Sequence, residues 1–168
     1  SLGFVPLWLK VFIGFCGGLT VGLIIYYWSG ESRGAGIPEV MEAVALGGGR
    51  IRARVSVVKA VCASLTIGCG GSVGREGPIV QIGSSIGSTI GQILGVSEGR
   101  LRIMVACGAA AGIAATFNTP IAGVIFAIEI ILGSYAMSTL TPMIFATVFA
   151  TIIARIHLGE YPFIMVPV

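Results

Sequence analysis

Two charges stand alone in a long uncharged stretch of this sequence. Arg75 and Glu76 lie inside Gly74-Arg75-Glu76-Gly77-Pro78, with 15 uncharged residues before them and 21 after. Ionisable groups set between apolar runs of that length are costly where water is scarce, and they mark functional sites by default. A structural ion pair is the plainer alternative, but neighbours at i and i+1 do not face each other on a helix. Pro78 suits the first turn of a helix, where its missing N–H costs nothing. Glu76 is therefore expected at a helix start, beside backbone N–H groups without intrahelical partners and at the positive end of the dipole. Such a turn binds a small anion without burying a full positive charge.

Gly34-Ala35-Gly36-Ile37-Pro38 repeats the design, with glycines before a proline that opens a short helix. By itself a Gly-x-Gly-x-Pro stretch marks a turn more often than a site. Two helix starts aimed at one point would make an anion site that needs no metal and no cofactor. A third stretch runs from Gly108 and Gly112 to Phe117-Asn118-Thr119-Pro120, supplying small residues and another break. Lys59 has Glu39 and Glu42 as candidate partners, or is a solvated linker charge. Glu129 follows an apolar segment, and His157 beside Arg155 is read as interfacial. The sequence contains no Asp and a single His, with no nucleophile–base pair and no metal-ligand spacing, so an enzyme is not expected. Cys16, Cys62, Cys69 and Cys107 all fall in apolar stretches and read as buried free thiols.

The elements that must position these residues follow from where charge is missing. Of 168 residues, 55% are apolar and 10% charged, and the mean hydropathy is +1.00. A soluble domain carries about 25% charged residues. Residues 11–30, 60–74, 77–97, 103–128 and 130–154 contain no Asp, Glu, Lys or Arg. A spanning helix needs roughly 20 apolar residues, which implies a multi-pass protein of the cell membrane. Hydrocarbon forces the backbone to satisfy its own hydrogen bonds, so the chain reads as all-α, with helices near 5–28, 38–47, 53–70, 77–93, 99–115, 121–132 and 138–156. Asn118-Thr119-Pro120 should split the 103–128 run. Gly83, Gly87, Gly91 and Gly95 recur every fourth residue, as do Gly14, Gly18 and Gly22, which predicts close helix packing. The net charge of +3 points to no nucleic acid. Its cations cluster at Arg50, Arg52, Arg54 and Lys59, and at Arg100 and Arg102, so both linkers are expected on the cytoplasmic side.

Gly36-Ile37-Pro38-Glu39-Val40, then Gly74-Arg75-Glu76-Gly77-Pro78-Ile79-Val80-Gln81-Ile82-Gly83, then Gly108 through Glu129 come in the order and at roughly the intervals of the CLC family of voltage-gated-type chloride channels and chloride/proton antiporters. The resemblance runs from about residue 30 to residue 167 and includes Tyr161-Pro162-Phe163 and Pro167. It implies that residues 1–168 form a partial CLC-type transmembrane domain, roughly its third to ninth helices, cut from a longer polypeptide. The fold implied is the first half of an inverted repeat built from short, broken and re-entrant helices. The family's Gly-x-Phe-x-Pro motif and its anion-coordinating Tyr belong to the half not expected here.

The resemblance further implies chloride transport gated by Glu76, whose ionised carboxylate competes with the anion and swings away when protonated. Gly74, Arg75, Glu76 and Gly77 would form the outer anion site, and Ala35 and Gly36 the inner one. The implied assembly is a homodimer in the lipid bilayer, joined through segments near 121–132 and 138–156. Two departures bear on the ion and the coupling. Ala35 stands where many chloride-selective members have Ser, which leaves nitrate or fluoride as alternative cargo. Ile130 stands where proton-exchanging members often carry a second Glu, which leans towards a channel or a weakly coupled exchanger. A non-transporting fragment is the remaining alternative.

Overall fold

The computed structural model describes residues 7–28, 36–71 and 74–159. Gly34, Ala35, Glu160, Tyr161-Pro162-Phe163 and Pro167 lie outside the described residues. Seven α-helices follow in order: α1 (Leu7–Trp28), α2 (Ile37–Ala45), α3 (Ala53–Gly68), α4 (Glu76–Ile93), α5 (Glu98–Phe117), α6 (Pro120–Phe126) and α7 (Met137–Leu158). A π-helical segment, Ala127–Leu132, continues α6. No strand occurs among the described residues.

α5 is the centre of the packing, with α4, α6, the π segment and α7 against it. Val105, Ala106, Ala109 and Ala110 of α5, Val80 of α4, Ala127 of the π segment and Met143 of α7 are fully buried. Small residues let α4 and α5 meet backbone to backbone. A methyl placed on Gly83 would land on the Gly108 carbonyl oxygen, and one on Gly108 would land on the Gly83 carbonyl oxygen. One turn along, Gly87 faces the Met104 carbonyl and Gly91 the Leu101 side chain.

The same spacing means something different elsewhere. Gly95 is not on that face: its φ of +63° places it in the left-handed turn that ends α4. Gly14, Gly18 and Gly22 have nothing within 4 Å of an added methyl, whereas Gly17 sits against Cys69. The expected packing face of α1 is therefore not formed among the described residues, and Gly17 makes the close approach instead.

The Asn118-Thr119-Pro120 break forms as expected. Asn118 turns left-handed at φ 56°, ψ 37° to end α5, and Pro120 opens α6 at a position where its lost N–H is harmless. The Nε of Arg155 donates to Asn118 Oδ1 at 2.7 Å, fastening the end of α7 to this corner. Residues 121–132, expected as one helix, widen into the π register from Ala127 and end at Gly133, with φ 60°.

Two helices, Glu98–Phe117 and Met137–His157, are long and apolar enough to cross a membrane; Val11–Tyr27, Val57–Gly68 and Pro120–Leu132 are apolar but shorter. Large apolar side chains lie exposed along α1 (Trp8, Phe12, Phe15) and α7 (Phe145, Phe149, Ile153). Arg54 and Lys59 belong to α3 and Arg100 and Arg102 to the start of α5, rather than to linkers, and Lys59 is buried. The linker after α2 lies against the basic start of α5: Gly48 approaches the Glu98 carboxylate and Gly49 the Arg102 amide. They share one face of the molecule, in keeping with one membrane side for both.

Candidate functional site

The site is built where α2 and α4 begin. Gly36 caps α2 with φ 102° and ψ −51°, a conformation open to glycine and strained for other residues. It is buried, and a methyl placed on it would strike the carbonyl group of Gly77. The two proline-led turns thus touch through their glycine backbones. Glycine at position 36 is required twice, by its φ and by that contact.

At the α4 turn, Arg75 is the N-cap, Glu76 the first helical residue and Pro78 the third. The first rung of the α4 ladder runs from the Ile79 N–H to the Arg75 carbonyl, at 3.2 Å. The Glu76 and Gly77 amides come before that rung, and Pro78 has no N–H to offer. Two donors and the positive end of an 18-residue helix therefore lie at the α4 start, next to the point where the Gly77 carbonyl meets Gly36. Glu76 is exposed in this chain, Arg75 and Gly77 are half-buried, and Gly74 is exposed with nothing within 4 Å of its open side.

The α2 turn is finished differently. The Gly36 N–H donates to Glu39 Oε2 at 2.7 Å, and the first rung runs from the Val40 N–H to the Gly36 carbonyl at 3.3 Å. Glu39 is the third helical residue, from which a carboxylate can reach back to the cap N–H. This cap was not singled out from the sequence, although glutamate three residues after a helix cap is its recognised signal. The buried Lys59 ammonium also lies within electrostatic reach of Glu39.

The far end of α2 is fixed to α4 as well. Ser88 Oγ donates to the Gly49 carbonyl at 2.6 Å and accepts the Ile51 N–H at 2.8 Å. Gln92 Nε2 donates to the Ile51 carbonyl at 3.1 Å and to Ser88 Oγ at 2.8 Å. No group of three or more metal-ligating side chains occurs among the described residues. Glu129 is exposed on the π segment.

The sequence profile described as "Voltage gated chloride channel" matches residues 17–168. The chain belongs to the CLC family. Among its CLC relatives, a ClcB-like protein of Ralstonia nicotianae is 39% identical over 158 residues, covering 92% of this chain and 37% of that protein. The H(+)/Cl(-) exchange transporter ClcA of Vibrio cholerae serotype O1 is 35% identical over 169 residues, covering 98% of this chain and 36% of the relative. The crystal structure of a slow cyanobacterial Cl-/H+ antiporter superposes with a TM-score of 0.78 at 30% identity, covering 99% of this chain and 42% of that one. The CLC fold is therefore shown for the chain, which spans little more than a third of the length of the curated relatives it matches.

Proposed function

We propose that this chain supplies part of a transmembrane chloride pathway, with the anion held by the amides at the start of α4, beside the Gly36–Gly77 contact, and contested by the Glu76 carboxylate. The observation that carries the reading is the meeting of two helix starts at one point, with the Glu76 and Gly77 amides outside the α4 ladder. Backbone donors at a helix start hold an anion without the desolvation cost of a buried cation. Gly74 and Arg75 complete the outer turn, and Gly36 with Ala35 the inner one. Glu76 is exposed in this chain, so its side chain has freedom to enter and leave the site. In this reading the protein is a multi-pass membrane protein and homodimer, joined through 121–132 and 138–156, where Ile121, Ile125, Phe145 and Phe149 present exposed apolar surface.

The relatives include an exchange transporter and the superposed structure is an antiporter, which supports proton coupling. The test is chloride flux from liposomes holding the full-length polypeptide that carries this sequence, with protons read in parallel. Chloride movement that Glu76→Gln leaves with an unaltered pH response would overturn the gate. Ala35, without the hydroxyl that many chloride-selective members place there, favours a second reading of the cargo. In that reading nitrate or fluoride competes with chloride in the same assay.

A further inference from the structure

The bond from Gln92 to the Ile51 carbonyl sets the start of α3 beside the end of α4, yet the two helices do not close on each other. Between them runs an open groove of about 410 Å³, walled by Ala53, Val57 and Ala60 of α3 and by Ile82, Ile86 and Ile90 of α4. Each trio follows the helical repeat and so forms a continuous wall. Val57 is 65% exposed and Ile86 53%. Apolar surface left open in this way marks a place where something docks.

Two observations say what kind of occupant fits. The first is that the polar groups of the groove are already spent. Ser85 and Thr89 border it, and both hydroxyls donate within their own helix, Ser85 to the Ile82 carbonyl at 3.2 Å and Thr89 to the Ser85 carbonyl at 2.7 Å. A polar partner would bury its own groups there without compensation, whereas a hydrocarbon chain loses nothing. The second is the charge at one end. Arg52 caps α3 and Arg54 lies in its first turn, which has no acidic residue and no side-chain cap. Both arginines are exposed, as is Arg50 before them. These cations are expected on the cytoplasmic side, where the leaflet carries acidic phospholipids. From Ala53 to Ala60 the groove runs about 10 Å along α3, most of a hydrocarbon leaflet about 15 Å deep.

We propose that this groove binds an acidic glycerophospholipid, with the phosphate against Arg52 and Arg54 and one acyl chain laid between α3 and α4. The proposal rests on the membrane reading above and is independent of the anion pathway. The arginines select the head group, and the apolar walls hold the chain.

The experiment uses the full-length polypeptide in liposomes, with its native cysteines replaced by serine and a bimane fluorophore attached through Val61→Cys. Val61 is exposed one turn beyond Val57, so the label sits beside the groove without filling it. Phosphatidylglycerol with brominated acyl chains is expected to quench the label at a mole fraction about tenfold lower than brominated phosphatidylcholine. Arg52→Gln combined with Arg54→Gln, both surface changes, should erase that preference and leave the weaker quenching by phosphatidylcholine. Glycerol phosphate, which has the charge and no chain, should not displace the brominated lipid. Equal quenching by the two lipids, a preference that survives loss of both arginines, or displacement by glycerol phosphate overturns the proposal. So does quenching by neither lipid in protein recovered with the membranes, which would put another part of the polypeptide in the groove. Protein absent from the membrane fraction would refute the membrane reading itself, and the lipid site with it.

Discussion

The turns that open α2 and α4 use the same three residue types in different order, and the order decides what the carboxylate does. In α2 the acid is third in the helix, after proline, and folds back onto the Gly36 N–H at 2.7 Å. In α4 the acid comes first, before Gly77 and Pro78, and stands exposed. A carboxylate at the third position reaches the cap amide, and one at the first cannot. One turn has neutralised part of its own positive end, while the other keeps its amides and a side chain free to move. The glycines divide in the same way. Gly36 is held at positive φ against Gly77, whereas Gly74 faces open space.

Breaking the contact itself should have the largest effect. A side chain at the φ of Gly36 costs about 1–3 kcal/mol, and collision with the Gly77 carbonyl adds about 1–3 kcal/mol. Gly36→Val is expected to leave little folded protein, visible as loss of the dispersed species in detergent size-exclusion chromatography. Glu76→Gln comes next and should act on function alone. Its melting temperature should stay within the range of an exposed substitution, about 0.5 kcal/mol in equivalent stability, while the pH response of chloride flux flattens. Glu39→Ala removes the cap and should cost about 1 kcal/mol, measured by thermal unfolding. Glu39→Gln, still an acceptor at the third position, should recover most of that loss. Gly74→Ala should be the mildest, within about 0.5 kcal/mol, because its added methyl meets nothing. If Gly74→Ala were as damaging as Gly36→Val, the distinction between the two turns would fail.

Much of this was legible in the residues. Runs without charge located the helices, because a backbone away from water must bond to itself. Proline after Asn118-Thr119 located the break for the same reason that Pro38 and Pro78 located helix starts. Spacing of four among glycines was a weaker guide. It holds for Gly83, Gly87 and Gly91, where α5 offers Gly108 and bare carbonyls opposite, and it fails for Gly95, which ends the helix. On α1 the partner selects Gly17 rather than the Gly14, Gly18 and Gly22 series. The pattern says that a helix is able to be approached closely, and only the opposing surface says whether it is. The π segment at Ala127–Leu132 was hidden because hydrogen-bond register within an apolar run leaves no mark on residue type. The groove between α3 and α4 was hidden because a gap between helices is a property of their packing.

The stitching of the linker beyond α2 by Ser88 and Gln92 has a mechanical result. Combined with the glycine contact at the opposite tip, it leaves a nine-residue rod splinted to its neighbour at both extremities. A rod so held cannot tilt like a lever, and widening one tip would strain the three hydrogen bonds that tie α4 to the linker beyond the other. In the proposed pathway, opening and closing would then fall to single side chains turning about their own bonds, a small and fast displacement beside a frame that stays still.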